Sequence, residues 1–339
     1  MTINETSGYR AVKDPSVWKA SDFPSDSGWF YELSDDDRKE IEEAVRSVKR
    51  NGLVPPAYDR DAFAIPSFAR RLSKFSDRLE NGPGFFLLRG IPIENHDLET
   101  IKLMYWGIGV HLGVPVFQNT KGQLMTHVED RGDEYGDVNT RLYTTAAAAN
   151  PHNDPSDVVG LLCVRKSPSG GASMIASATA IYNEIVDSYP HYIELLHRGF
   201  PHDLRGEGST HSFNETTPDL PIYSRFGGKL SCCINSKSSR TARDKQGRPL
   251  SNDESDALKL VERLFDDPRF FITMNFQPGD AQFLNNYVIL HSRTAFRNGS
   301  APDDKRLLLR LWLNLRVGRP LAPGFGDRFN NGRGGVPAR

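Results

Sequence analysis

The sequence has little cysteine and no long hydrophobic run, and each absence narrows the class of protein. Only three of the 339 residues are cysteine, and two of them, Cys232 and Cys233, are adjacent. Neither a disulfide framework nor a zinc ribbon is therefore expected. No apolar run approaches the roughly 20 residues that span a bilayer, and the first residues lack the apolar stretch of a secretory signal. These features predict a reduced, cytoplasmic protein without a membrane span.

Positively and negatively charged side chains are nearly equal in number. The chain has 42 Lys and Arg residues and 43 Asp and Glu residues, which gives no electrostatic reason to expect binding to nucleic acid or to a membrane surface. Glycine and proline are plentiful, with 29 and 22 residues, and this disfavours a helical bundle. No internal repeat is visible. The composition is that of a folded, soluble protein.

The first part of the chain is predicted to be helical. Residues 1–82 are expected to form an N-terminal arm, irregular up to residue 35, followed by helices that pack on the core. Apolar residues recur every three or four positions between Ser34 and Asn51, so one helix is expected there. A second is predicted over Pro66 to Asn81 and a third over Asp97 to Leu112. Phe85 to Leu88 is predicted to be a buried strand.

From about residue 140 the pattern changes to short apolar runs between turns, which is typical of a β-sandwich or barrel decorated by helices. A helix over Ala180–Leu196, broken at Pro190, and one over Glu254–Phe265 interrupt the strands. The stretch 201–252 is rich in Gly, Ser, Thr and Arg, so we expect a mobile lid there. The alternative is a packed insert with two strands. The predicted strands are 158–164, 173–178, 222–226, 230–234, 269–276, 281–290 and 306–316.

The strongest local chemical signal is the sequence His152-Asn153-Asp154. In an extended strand residues i and i+2 share a face, so one imidazole and one carboxylate can bind the same metal ion. Taken alone, this short pattern is more often a surface turn. His291, at the end of the predicted strand 281–290, adds a second imidazole. Two His and one carboxylate, with one face of the metal left open, form the ligand set of non-heme Fe(II) oxygenases.

Two arginines follow His291 on a predicted strand. Arg306 and Arg310 are four residues apart, so they share a face with Leu308, and the odd-numbered leucines face the other way. Guanidinium groups on the inner face of an apolar strand are costly unless an anion pairs with them. Arginine binds a carboxylate through two parallel hydrogen bonds. The pair therefore indicates an anion site, and internal salt bridges to Asp or Glu are the alternative.

Three blocks of the chain, within about 83–316, resemble the taurine catabolism dioxygenase (TauD/TfdA-like) family. They are Gly84-Phe-Phe-Leu-Leu-Arg-Gly90, the block from His152 through Gly170-Gly171 to Ser173, and the block from Pro278-Gly279-Asp280 through His291-Ser-Arg293 to Trp312. The resemblance implies a mainly β (α+β) fold with flanking helices around a double-stranded β-helix, the jelly-roll core also found in cupins. Residues 317–339 are expected to be an irregular C-terminal tail.

The resemblance also implies the roles of site residues. Three residues match the family's iron ligands: His152, Asp154 and His291. Arg306 matches the arginine that binds the distal carboxylate of 2-oxoglutarate, and Ser173 matches a Ser or Thr that hydrogen-bonds the same carboxylate. Arg310 matches a second arginine that reaches the substrate or the other carboxylate of 2-oxoglutarate. Which of Arg306 and Arg310 binds the distal carboxylate stays open.

The implied enzyme uses Fe(II), with 2-oxoglutarate and O2 as cosubstrates, and releases succinate and CO2 as it oxidises a C–H bond of a small molecule. Hydroxylation, desaturation and cyclisation all stay open, in natural-product tailoring or catabolism. One rival is a cupin-like metal enzyme without 2-oxoglutarate, which would not need Arg306 and Ser173. The other is a non-catalytic jelly-roll binding protein. Segments 115–150 and 201–252 are expected to define the substrate, and a homodimer is one expected assembly.

Overall fold

The computed structural model describes residues 8–24, 29–133, 141–325 and 334–338. Fifteen strands and seven α-helices are assigned within these ranges. The strands are β1 Phe30–Glu32, β2 Phe85–Arg89, β3 Val114–Pro115, β4 Met125–Val128, β5 Ala149–His152, β6 Val158–Arg165, β7 Ser169–Gly170, β8 Ser173–Ser177, β9 Tyr223–Phe226, β10 Lys229–Cys232, β11 Phe271–Met274, β12 Ala281–Asn285, β13 Ile289–Arg293, β14 Phe296–Arg297 and β15 Leu307–Asn314. The helices are α1 Asp35–Arg50, α2 Pro66–Asn81, α3 Leu98–Leu112, α4 Ala178–Ser188, α5 Ile193–Arg198, α6 Ser236–Lys245 and α7 Asn252–Phe265.

Two sheets form the core. The larger has the order β1-β2-β12-β6-β15-β3, with β4 also paired to β15, and the smaller has the order β11-β8-β13-β5. Apart from the parallel pair β1–β2, the pairs within these two sheets are antiparallel. The chain passes alternately between the sheets, from β5 to β6, then β8, and later β11, β12, β13 and β15. This alternation winds a jelly roll, as the resemblance implied.

Alternation of side chains along β15 decides what each face of the larger sheet contacts. Leu307, Leu309 and Leu311 are buried in a cluster with α1, α2 and α3. Leu308 and Trp312 instead belong to the buried cluster shared by the two sheets. The predicted alternation is therefore confirmed, because successive side chains of a strand point to opposite faces. Arg310 has the same parity as Leu308 and Trp312 and faces the interior between the sheets.

The predicted helices begin and end close to the expected residues. Ser34 and Asp97 accept hydrogen bonds from the backbone N–H groups of Asp37 and Thr100, so they cap α1 and α3. Helix α2 spans Pro66–Asn81 as predicted. The predicted helix over Ala180–Leu196 is divided into α4 and α5 around Pro190, because proline cannot donate the hydrogen bond that would continue the helix.

Several features differ from the sequence prediction. The single strand expected over 281–290 is two strands, because a tight turn between β12 and β13 sends the chain from one sheet to the other. In this turn Asn285 Oδ1 accepts a hydrogen bond of 2.8 Å from Tyr287 N. The arm expected to be irregular contains β1, which forms by pairing with β2. Helix α6 was not predicted, because its sequence has almost no apolar residues.

The stretch 201–252 contains β9, β10 and α6. Ile222, Tyr223 and Leu230 are buried against α4 and α7. Residues 317–325 and 334–338 contain no helix or strand, but Phe325 and Val336 are buried. Within the described ranges, no helix has both the length and the apolar character needed to cross a membrane.

Candidate active site

Three potential metal ligands converge at one end of the smaller sheet. His152 ends β5 and lies directly opposite His291 on the adjacent strand β13, with their ring centroids 4.3 Å apart. Asp154 Oδ2 lies 3.8 Å from His291 Nε2. Each residue offers a ligand atom, and these atoms lie within 4.8 Å of one another. The sequence prediction expected Asp154 on the same strand as His152, whereas it lies in the turn that follows β5.

The donor set and its protonation fit a divalent iron ion. His152 Nδ1 lies 2.8 Å from the carbonyl oxygen of Asn150. A carbonyl only accepts, so Nδ1 carries the proton and Nε2 is left as the metal ligand. Two imidazoles and one carboxylate at this spacing fit the 2-His-1-carboxylate arrangement, which leaves coordination positions for other ligands.

The turn that carries Asp154 is hydrogen-bonded to the turn between β12 and β13. Asn153 Nδ2 donates to the carbonyl oxygens of Asn286, at 2.6 Å, and Ile289, at 2.9 Å. Asp154 N in turn donates to Asn286 Oδ1 over 3.1 Å. Both asparagines are buried, so these bonds hold Asp154 close to the strand that carries His291. Neither asparagine was assigned a role from the sequence.

Trp312 and Arg310 both contact the Oδ2 atom of Asp154. Trp312 Nε1 donates to Asp154 Oδ2 over 2.9 Å, and Arg310 Nη1 lies 3.6 Å from the same oxygen. Burial by itself would raise the pKa of Asp154, but the charge of Arg310, the two histidines and the Trp312 bond lower it below its ordinary value. The carboxylate is therefore anionic and ready to bind a cation. Trp312 shares a strand face with Arg310, but its partner Asp154 is 158 positions away in the chain, so Trp312 was not identified from the sequence.

The ligands open into a cavity of about 190 Å³. Both sheets and the 201–252 insert contribute to its wall. The larger sheet and its edges contribute Arg306, Leu308, Arg310 and Trp312. The smaller sheet contributes Ser173, Ser292 and Arg293. The insert contributes His202, Asp203, Arg205, Glu207, Asn235 and Ser238. All six residues selected from the sequence therefore line one cavity.

Arg306 has no carboxylate partner among the described residues. It is only 4 % exposed. Within the part of the chain that the structure describes, its Nη1 has no hydrogen-bond partner and its Nη2 makes only a long contact of 3.5 Å with the carbonyl oxygen of Gly171. Burial lowers the pKa of Arg306 to about 10. Within these residues Arg306 therefore has no internal salt bridge to Asp or Glu, whereas Arg310 does approach a carboxylate, that of Asp154. A buried guanidinium of this kind is costly unless a bound anion compensates its charge.

Arg310 is already well supplied with partners. Its Nε donates to Gln118 Oε1 over 2.8 Å, in addition to the contact with Asp154. Gln118 is fixed in turn, because Thr126 Oγ1 donates to the same oxygen over 2.7 Å and Gln118 Nε2 donates to the backbone of Arg310. Neither Gln118 nor Thr126 was identified from the sequence. Their contacts fix the guanidinium of Arg310 next to the metal ligand.

Ser173 and Arg293 lie opposite each other on β8 and β13. Ser173 Oγ donates to Gln282 Oε1 over 3.1 Å. Arg293 Nη2 donates to the carbonyl oxygens of Thr145, at 3.0 Å, and Ala147, so it fixes the segment before β5. Burial and the nearby charge of Arg306 lower the pKa of Arg293 to about 10. The guanidinium groups of Arg293 and Arg306 therefore lie close together on the Ser173 side of the cavity.

Ion pairs stabilise the part of the cavity wall that the insert and the segment before β5 form. Glu207 pairs with Arg141, and both residues line the cavity. Asp203 Oδ1 accepts from Lys245 Nζ over 2.8 Å, which links the start of the insert to α6. These ion pairs therefore hold the part of the cavity wall that the insert contributes.

Comparisons with known proteins agree with this geometry. A synthase from Streptomyces rubellomurinus, FR-33289 synthase, is 31 % identical over 323 residues, which cover 91 % of this chain and 92 % of the relative. The taurine hydroxylase-like protein SAT17 of Stachybotrys chartarum is 27 % identical over 314 residues, which cover 88 % of this chain and 79 % of the relative.

Solved structures show the same fold. Asparagine oxygenase, crystallised with Fe(II), 2S,3S-3-hydroxyasparagine and succinate, superposes with a TM-score of 0.65 at 18 % identity, covering 84 % of this chain and 93 % of that one. The non-heme iron oxygenase OrfP, crystallised with Fe and alpha-ketoglutaric acid, gives 0.63 at 14 % identity, with 84 % and 94 % covered. The family model for the taurine catabolism dioxygenase TauD, TfdA family matches residues 52–312. The chain therefore belongs to this family of Fe(II)- and 2-oxoglutarate-dependent dioxygenases.

Proposed function

We propose that His152, Asp154 and His291 bind the Fe(II) at which this dioxygenase oxidises a C–H bond of its substrate. One observation carries the proposal. The three ligand atoms lie within 4.8 Å of one another in the same cavity as the buried Arg306, which has no carboxylate partner among the described residues. When bound, Fe(II) with 2-oxoglutarate and O2 supplies the oxidising power. The chain's own residues orient the ligands and the substrates around it.

Arg306 is the better candidate for the distal carboxylate of 2-oxoglutarate. No carboxylate of the described residues pairs with it, whereas Arg310 lies 3.6 Å from Asp154 and is fixed by Gln118. A charge-assisted, bidentate pair with a carboxylate would satisfy the free Nη1 of Arg306 and offset the cost of its burial. Ser173 lines the same cavity, and its hydroxyl is the second proposed partner of that carboxylate. Arg310 then faces the substrate side.

The charges around the cavity favour an acidic substrate. Among the described residues that line it are five arginines and only three carboxylates, Asp154, Asp203 and Glu207. The two charges of Fe(II) and of 2-oxoglutarate cancel, so positive side chains still outnumber negative ones by two among these described lining residues. Buried charge of one sign is costly. A small-molecule substrate with a carboxylate or another acidic group would offset that excess of positive charge. We propose that the enzyme hydroxylates such a molecule in natural-product tailoring.

Release of succinate, measured across a panel of small molecules, tests this proposal. Each acid should be paired with its neutral amide or ester, in assays with Fe(II), 2-oxoglutarate and O2. The acid of an active pair should stimulate succinate release, the neutral partner should not, and Asp154→Ala should abolish the response. Equal stimulation by acid and amide would contradict the charge argument. Stimulation that persists in Asp154→Ala would contradict the assigned ligands.

Three further expectations belong to this proposal. We propose a cytoplasmic enzyme, on the sequence evidence of few cysteines. We propose the division into an N-terminal part, 1–82, a catalytic domain, 83–316, and a tail, 317–339. We also propose a homodimer, and light scattering of the purified protein at several concentrations would test it.

A further inference from the structure

The C-terminal segment 334–338 lies against the turn that carries the proposed iron ligand Asp154, and we call this segment the C-terminal strap. Gly335 N donates to the carbonyl oxygen of Pro155, and Val336 N donates to the carbonyl oxygen of Phe117 over 2.8 Å. Val336 is only 1 % exposed and belongs to the buried cluster that contains Trp312. The strap is thus anchored by backbone hydrogen bonds and by an apolar side chain.

Two glycines allow the strap to approach this closely. A Cβ atom on Gly334 would lie 2.7 Å from Asn314 Oδ1 and 3.0 Å from the Cα atom of Ser156. Gly335 has a φ of +92°, and a Cβ atom there would lie 2.8 Å from Val116 Cβ. Larger side chains would push the strap away, and at Gly335 they would also be strained.

The strap contacts a side of the turn that the asparagine network does not hold. Asn286 is bonded to Asp154 N through its Oδ1, and to the carbonyl oxygen of Ser156 through its Nδ2, at 3.0 Å. Between these two points the Pro155 carbonyl accepts its bond from Gly335. Pro155 also lines the cavity. Residues 154–156 are therefore tied to Asn286 at both ends and to the strap in the middle.

We propose that the C-terminal strap is a positioning element of the metal site. It fixes the Asp154–Ser156 turn, so the carboxylate is in place before the metal binds. Metal sites need their ligands within about 0.5 Å of the productive geometry, and partners that orient a ligand typically affect metal affinity by about 10- to 100-fold. This inference rests on the proposed ligand set.

Alanine substitutions at the two glycines test the strap. The variants are Gly334→Ala and Gly335→Ala. The controls are Gly8→Ala, where nothing lies within 4 Å of the new Cβ, and Gly324→Ala, which shares a positive φ of +76° but also has nothing within 4 Å. The readouts are the Co(II) dissociation constant, the visible spectrum of bound Co(II), and thermal unfolding without metal. We expect about tenfold weaker binding and a changed spectrum in the strap variants alone.

Unchanged Co(II) affinity and spectrum in the strap variants would overturn the inference, because the strap would then contribute to stability at most. Strap variants that fail to fold would also overturn it, since the strap would be part of the core. The proposed ligand set is tested separately in the same titration. If the Asp154→Ala variant binds Co(II) as tightly as the wild type does, the ligand set itself is refuted.

Discussion

At the scale of single residues, the buried cation Arg306 gives the sharpest prediction. Arg306→Ala removes a bidentate partner worth roughly 1.5 to 3 kcal/mol, so the apparent 2-oxoglutarate requirement should rise about ten- to a hundredfold. Arg310→Ala should affect the prime substrate at least as much as 2-oxoglutarate. Steady-state kinetics against each substrate separates the two effects, and Arg297→Ala, an exposed arginine on β14, is the matched control. The reverse pattern would show that the two arginines have exchanged roles.

Trp312 carries a second prediction at this scale. Trp312→Phe keeps an aromatic ring but removes the donor to Asp154 Oδ2, so the affinity for Fe(II) should fall by about tenfold. Trp106→Phe is the matched control, because it removes an indole bond of 3.0 Å, to the carbonyl oxygen of Tyr58, within the helical part of the chain. Anaerobic Fe(II) titrations compare the two variants. Equal affinities would show that the indole does not orient the carboxylate.

A site residue can be predicted from the sequence when its own chemistry limits which residue type can stand there, and not when its role depends on a distant partner. His152, Asp154 and His291 are recognisable because metal ligation limits the residue types, and Arg306 because a cation within an apolar strand requires an anion. Trp312, Asn153 and Asn286 act through partners more than 130 positions away in the chain, and no local pattern encodes such a distance. Only the fold brings these side chains together.

At the scale of elements, local signals explain which parts were predictable. Helices α1, α2 and α3 combine a helical apolar period with a cap or a proline at their start, and all of these are visible within a few residues. Strand β1 exists because β2 pairs with it, and α6 has few apolar residues of its own. Within 281–290 the pair Asn285-Asn286 interrupts the apolar residues where the chain turns, and asparagine is a common turn residue. A single strand was nevertheless predicted, because the apolar residues on both sides outweighed that pair.

The glycine turn between β7 and β8 gives a prediction at the element scale. Gly171 has a φ of +77°, and a Cβ atom there would lie 2.9 Å from Arg306 Nε. Gly171→Ala should therefore displace the guanidinium and raise the 2-oxoglutarate requirement several-fold, while Fe(II) affinity stays unchanged. Gly228→Ala, with a φ of +80° and nothing within 4 Å, introduces similar backbone strain without the contact. If both variants change the 2-oxoglutarate requirement equally, the turn does not position Arg306.

A lid role for part of the 201–252 insert stays a prediction. Strands β9 and β10 pack against α4 and α7, whereas residues 209–214 are exposed, so ordering by substrate should concentrate between about 203 and 216. Hydrogen exchange, measured with and without substrate in the anaerobic Fe(II) and 2-oxoglutarate complex, should show substrate-dependent protection there. Slow exchange across the whole insert, independent of substrate, would contradict a lid.

At the scale of the whole molecule, two sheets bring distant parts of the chain to one cavity. His152 ends β5 and Asp154 follows it. His291 lies on β13, and Arg306 immediately precedes β15. The jelly roll was predicted from the resemblance of three sequence blocks, since short apolar runs alone do not specify how strands divide between sheets. The packing of the C-terminal segment against the metal site was not predicted, because its Gly-rich sequence contains no apolar period.

The most direct test of the central claim is the visible absorption of the anaerobic protein with Fe(II) and 2-oxoglutarate. Chelation of Fe(II) by the keto acid gives a weak charge-transfer band. The wild type should show this band, His291→Ala should lose it, and Arg306→Ala should need a much higher 2-oxoglutarate concentration to reach it. An undiminished band in His291→Ala, together with full turnover, would contradict the assignment of His152, Asp154 and His291 as the iron ligands.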